Sequence, residues 1–257
     1  MPPVRLTAEE SLALLGLATE FGRNKKLPFY DAAYNAAVKI ERTLPRALRQ
    51  GLKPKARAIE IQSVQLSMLA GKASVFQQLV AAIAERRVVE VVYASLTEWE
   101  TIVTKLRPYR LLFSQHSWYV LGRSSLHREV RTFNLERVES LTILSERYSI
   151  PQSFSLDKHL GNAWCLIPAN EPDSHVIVLF KPFVSRNVAE VQWHKTQSTR
   201  FLSDGSLEFR ATVSGLSEIC WWILRYGDQA EVLKPARLRR MIARRAHNMA
   251  AIYKESD

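Results

Sequence analysis

Apolar and polar positions divide the chain into a helical opening, a block of short strands, and a closing stretch in which strands and helices alternate. Thr7 followed by Glu10 reads as a capping box, and Leu12, Leu15, Ala18 and Phe21 continue one helical face up to Gly22. A second helix is predicted from Asp31 through Tyr34, Val38 and Ile40 to Leu44-Pro45, where proline disfavours a helical residue before it. The stretch 46–57 is basic and broken by Gly51 and Pro54. A third helix over 75–85 places Val75, Phe76, Leu79, Val80 and Ile83 on one stripe and leads directly into a strand over 88–94.

From there the period falls to two. Runs 106–113 and 117–123, separated by Ser114-Gln115-His116, read as a hairpin. The run 130–144 reads as a further strand in which Arg131, Phe133, Leu135 and Arg137 share a face. Four or five short strands are too few for a sandwich and suit a compact barrel. A polar, proline-containing linker follows. Beyond it come a strand over 175–180, a helix from Pro182, and a hairpin at Asp204-Gly205 flanked by runs 199–203 and 207–213. A helix over 217–226 stopping at Gly227, a strand over 231–233 and a basic helix complete the chain. The order β-α-β-β-α-β is that of a ferredoxin-like unit. The expected fold class is α+β multidomain: a helical connector at 1–78, a β-barrel at 79–150, a linker at 151–173 and a ferredoxin-like α/β domain at 174–257.

A length of 257 residues suits two or three small domains with separate cores. No stretch approaches eighteen consecutive apolar residues, so no membrane-spanning helix is predicted. The first residues lack the charged-then-apolar order of a secretory signal, and a cytoplasmic protein is expected. Cys165 and Cys220 lie far apart without metal-ligand spacing, which argues against a disulfide framework or a zinc site. A net charge of +11 and a pI near 9.8 favour a polyanionic partner. Lys234, Arg237, Arg239, Arg240, Arg244 and Arg245 occur with no acid between Glu231 and Glu255. Arg240 and Arg244, four residues apart on one helical face, are candidate phosphate contacts. A solvated helix whose charges complement its own dipole is the alternative.

The chain has no Gly-rich phosphate loop, no Gly-x-Ser-x-Gly elbow and no histidines at zinc spacing, so neither an enzyme nor a metal or cofactor is expected. Arg123 and Arg131, with His127 between them, put three donors around the end of one hairpin, where planar guanidinium groups hold phosphate or carboxylate bidentately. Pairing with Glu129, Glu136 or Glu139 is the competing reading. Aromatic faces beside cations also grip nucleotides, although aromatics in short strands commonly form core. Trp118 lies on the opposite face from Tyr119 and Arg123, which assigns Trp118 to the core and Tyr119 to contact. The candidate ligand-binding set is Tyr109, Tyr119, Arg123, His127, Arg131, Phe133 and Arg137. Trp221 and Trp222 are adjacent on a helix, so one can enter the core while the other faces its edge or an interface.

Arg107-Pro108-Tyr109, Trp118-Tyr119-Val120-Leu121-Gly122-Arg123 and Arg131-Thr-Phe-Asn-Leu-Glu-Arg137-Val resemble the three motifs of the WYL domain, with Val120 where that family usually has Leu. Residues 213–227 and 232–235 resemble the C-terminal extension that accompanies WYL domains, so the resemblance covers about 79–257. It implies an SH3-like (Sm-like) barrel that senses a ligand and passes the signal to a DNA-binding module, with the C-terminal domain aiding dimerisation. The first residues resemble the connector that follows such a module; no helix-turn-helix is recognisable in them. The expected function is a WYL-type regulator that senses a negatively charged ligand, a nucleotide or short nucleic acid, and modulates transcription as a homodimer with DNA as a partner. The alternative is an accessory protein binding nucleic acid or a nucleoprotein without a promoter-reading module of its own.

Overall fold

The capping box at the start of the chain is formed: the Thr7 N–H donates to the Glu10 carboxylate at 2.7 Å, and the Glu10 N–H donates to the Thr7 hydroxyl at 3.1 Å. A computed structural model of the chain describes residues 7, 10, 13, 14, 30–43, 72–115 and 117–254. The rest of the first predicted helix, the basic stretch 46–57 and His116 lie outside the described residues. The two predicted helices that follow are α1, Tyr30–Thr43, and α2, Ala73–Glu85. Residues Met1–Ile150 and Pro151–Asp257 form separate compact units.

In the first unit α2 buries Val75, Phe76, Leu79 and Ala82 against the strands. Val80 is exposed, because 75, 79 and 82 follow the helical repeat more closely than 80 does. Arg86, at φ 57°, closes the helix by donating its N–H to the Ala82 and Ile83 carbonyls. The chain then enters β1, Arg87–Ala94, and turns into β2, Thr101–Ser114, and β3, Ser117–Ser124. β2 begins earlier than its apolar run suggests, with Ile102, Thr104 and Leu106 buried at alternate positions.

The run 130–144 is not one strand. It is β4, Val130–Asn134, a 3-10 turn at Leu135–Arg137, and β5, Val138–Arg147. The Asn134 side chain accepts the Glu136 N–H at 2.9 Å, and its own N–H donates to the Tyr93 hydroxyl at 3.2 Å, so the ladder stops there. The five strands form an antiparallel sheet in the order β4-β3-β2-β1-β5. Leu79, Val89, Val91, Leu106, Val120, Phe133, Leu135 and Val138 belong to its core.

The second unit places β6, Ser174–Phe180, α4, Pro182–Ala189, β7, Ser198–Phe201, β8, Leu207–Val213, α5, Ser217–Leu224, β9, Ala230–Lys234, and α6, Ala236–Ile252, in sequence. Its antiparallel strands lie in the order β7-β8-β6-β9. With the short helix α3, Leu156–Leu160, the described residues hold six α-helices and two antiparallel sheets, a mixed α+β architecture.

Residues 151–173, expected as a linker, belong to this second unit. Trp164 is buried in its core and stacks on His194, ring centroids 5.4 Å apart at 8°. The Glu218 carboxylate, in the first turn of α5, accepts the N–H groups of Cys165, Leu166 and Ile167 at 2.8, 3.1 and 3.4 Å. One carboxylate therefore satisfies three consecutive backbone donors and ties the segment down.

Candidate anion-binding site

Arg107 on β2 and Arg123 on β3 are register partners, and paired residues of an antiparallel ladder project to the same side. Lys105, two residues before Arg107, shares that side. The close approach of the two strands depends on Gly122. A Cβ there would lie 2.5 Å from the Arg107 carbonyl oxygen and 2.9 Å from Leu106 Cδ1. Together with Val88, Ser124, Ser125, Arg128 and Glu146, these cations line a cleft of about 310 Å³. Glu146 reaches Arg107 at 3.5 Å and Lys105 at 3.8 Å. Among the described residues no carboxylate pairs with Arg123 or Arg128, so four cations face one anion.

The turn carrying Arg128 is held by a chain of hydrogen bonds. The Ser125 N–H donates to the Lys105 carbonyl at 2.8 Å, and the Ser125 hydroxyl accepts the Lys105 N–H at 3.0 Å. Ser124, fully buried, bonds Thr104 Oγ1 and His127 Nδ1, each at 2.9 Å. His127 Nε2 lies 3.0 Å from a Glu98 oxygen, and the other Glu98 oxygen accepts from Ser95. The Ser95 hydroxyl and then the His127 bond hold the Glu98 carboxyl below the usual carboxylate range. Arg128 sits at φ 58°, a conformation the network must hold against the preference of a side chain with a Cβ.

Comparison with known families identifies the two units. The model of the WYL domain matches residues 74–143, and the model of the WCX domain matches residues 172–250. The chain belongs to the WYL-domain family. A relative, the uncharacterized HTH-type transcriptional regulator YobV of Bacillus subtilis (strain 168), is 22% identical over 219 residues, 84% of this chain and 67% of that protein. Among solved structures, proteasome accessory factor B/C (PafBC) of Arthrobacter aurescens is 22% identical with a TM-score of 0.36; the alignment covers 98% of this chain, which spans just over a third of that one, 37%. A CRISPR Cas-related protein is 10% identical with a TM-score of 0.48, covering 98% of this chain and 75% of that one.

The WYL domain gathers only part of the set expected from sequence. Arg123 lines the cleft. Arg131 does not: its register partner is Gly122, one residue away from Arg123, so the pleat sends the two arginines to opposite faces. Glu129 holds Arg131 at 2.7 Å. His127 spends one ring nitrogen on Ser124 within its turn and the other on Glu98 in the β1–β2 connection, and so orients the turn. Phe133 is core, edge-on to Tyr93 at 5.0 Å, and Tyr109 is buried with its ring 6.1 Å from that of Tyr148. Arg137, half-buried, ends the 3-10 turn that breaks the expected common face. Tyr119 is half-buried on the Arg123 side of β3 but four residues along it, roughly 13 Å away. Trp118 packs edge-on against Phe76 at 4.9 Å and adjoins the core of the first unit as expected.

Lys105, Arg107 and Arg128 line the same cleft but stand outside the set expected from sequence, although Arg107 lies in the run that marks the family. In the WCX domain Arg240 and Arg244 are both exposed on α6, without a carboxylate partner among the described residues. Their helical neighbours Arg237 and Arg239 are engaged by Glu171 and Glu231 at 2.6 and 2.8 Å. Among the described residues there is no cluster of potential metal ligands, and no helix is long and apolar enough to cross a membrane.

Proposed function

We propose that this WYL-domain protein is a transcriptional regulator whose first unit binds an anionic ligand, a nucleotide or short nucleic acid, in the cleft between β2, β3 and the turn at Arg128. The observation that carries this reading is the register pairing of Arg107 with Arg123, with Lys105 and Arg128 beside them and Glu146 as the single lining acid. Like charges at directly opposed positions destabilise a ladder, and a bound phosphate or carboxylate relieves that repulsion while accepting bidentate guanidinium bonds. The cleft volume of about 310 Å³ fits a phosphate with its sugar or one base. The name of the Bacillus subtilis relative, an HTH-type transcriptional regulator, supports transcription as the output.

The strand order β4-β3-β2-β1-β5 supports an SH3-like barrel for the sensing unit, and the order β7-β8-β6-β9 with two intervening helices supports a ferredoxin-like second unit. In this reading the regulator works as a homodimer, and Arg240 and Arg244 supply sequence-independent phosphate contacts.

Fluorescence anisotropy with labelled mononucleotide, single-stranded and duplex oligonucleotides tests the proposal. Saturable binding lost in Arg123→Ala supports the cleft. Preference for a single strand without sequence choice, undiminished by Arg123→Ala, would instead favour an accessory nucleic-acid-binding protein.

A further inference from the structure

The apolar stripe of α6 runs on after the core of the second unit ends. Leu238, Met241 and Ile242 pack into that core, whereas Met249 and Ile252, with Arg245 a turn before them, continue the same helical face outside it. Opposite them stand Trp221, Leu224 and Arg225, again at spacings of three and four. These six residues and Asn248 line a groove of about 430 Å³. Trp221, Met249 and Ile252 are 58%, 48% and 77% exposed, while the adjacent Trp222 is 5% exposed. The core thus accounts for one tryptophan and leaves the other outside it.

We infer that this groove docks an acidic, amphipathic helix of a protein partner. Two helical stripes with an apolar floor between them accept a third helix through anchors at i, i+3 or i+4, and i+7. The charge of the rim selects the chemistry of that helix. Arg225 and Arg245 flank the floor, and α6 carries no acidic residue to offset them. The nearest acid of α5, Glu218, is committed to the backbone of residues 165–167. A second copy of the chain meeting this face across a two-fold axis would bring cations onto cations, which disfavours it. A nucleic acid would use Trp221 as a stacking platform, but the Arg245 guanidinium already lies over that ring, 4.1 Å from its centroid. Aspartate or glutamate beside leucine-like anchors complements both features.

The test uses a fluorescein-labelled designed helix of about 18 residues, with Leu at the anchor spacing and Glu elsewhere, against the same sequence carrying Lys for Glu. Anisotropy with the full chain is expected to show the Glu peptide binding at least about tenfold more tightly than the Lys peptide. Trp221→Ala and Arg245→Glu should each weaken it by a similar factor, while Arg123→Ala leaves it unchanged. Circular dichroism checks that the exposed Trp221 position tolerates truncation. Equal binding of both peptides, or wild-type affinity in both groove variants, overturns the proposal. So does a short oligothymidylate that depends on Trp221 when the Glu peptide does not, or a dimer that Trp221→Ala converts to monomer in sedimentation equilibrium.

Discussion

Arg107 and Arg123 oppose one another across the β2–β3 ladder on the same side of the sheet, with Gly122 letting the two backbones close. Two guanidinium groups at paired positions repel, a cost that an anion bound between them would remove. Pyrophosphate is therefore expected to raise the melting temperature of the chain. At a hundredfold excess over its Kd the stabilisation is about 3 kcal/mol. Arg123→Ala should melt no lower than wild type without the anion and lose most of the shift with it. An undiminished shift in that variant would place the anion elsewhere.

Gly122→Ala probes the strand approach directly. The added Cβ meets the Arg107 carbonyl oxygen and the Leu106 side chain inside contact distance, and the backbone on one side must move. A loss of about 1–3 kcal/mol is expected from denaturant unfolding, accompanied by weaker anion binding because Arg107 moves with β2. Wild-type stability would show that the strands have slack at this point.

Most of the element order was readable in the chain because hydrophobic period and turn residues are local signals. The capping box of Thr7 and Glu10, the hairpin at Asp204-Gly205 and the alternation of β8 all report on neighbours in sequence. What failed depended on distant partners. The pattern from Val130 to Leu144 satisfies a strand period throughout, yet Asn134 turns the chain where the Tyr93 hydroxyl meets its N–H. Arg123 and Arg131 looked equivalent because each alternates correctly within its own strand; the offset that separates them is a property of the register between strands. Trp164 and the clamp by Glu218 on residues 165–167 were invisible for the same reason, their partners lying some thirty and fifty residues away. Arg107 stands within the family motif, but its pairing with Arg123 is set by the register between strands.

Glu218→Ala should release the segment that this carboxylate clamps. Charge-assisted hydrogen bonds contribute about 1.5–3 kcal/mol, and the variant is expected to lose an amount in that range. The segment 162–170 should also become the first site of limited proteolysis. Unchanged stability and an unchanged cleavage pattern would mean that Trp164 alone holds the segment.

The second unit should weaken in mild acid. Burial pushes the His194 imidazole below its ordinary value of 6.5, its Nδ1 accepting the Thr196 N–H at 3.3 Å and its ring stacked on Trp164. A depressed folded value means that the unfolded chain takes up the proton first. The contribution is complete above the ordinary histidine range and is lost as pH falls through the folded value. Amide exchange in β6 and β8 should accelerate over that window in the wild type, and His194→Gln should flatten the dependence even if it lowers stability overall. An identical slope in the variant would remove His194 from the explanation.

In the proposed arrangement the anion sits on the Arg107–Arg123 side of the sheet. Anisotropy of one labelled short single strand, titrated with Arg123→Ala and Arg131→Ala side by side, tests it most directly. Loss of a charge-assisted hydrogen bond at Arg123 should cost about 1.5–3 kcal/mol, roughly a ten- to hundredfold rise in Kd. Arg131, on the opposite face and held by Glu129, should leave affinity near wild type. The reverse pattern, a large loss at Arg131 with Arg123 silent, would contradict the assignment and move the ligand to the other face of the sheet.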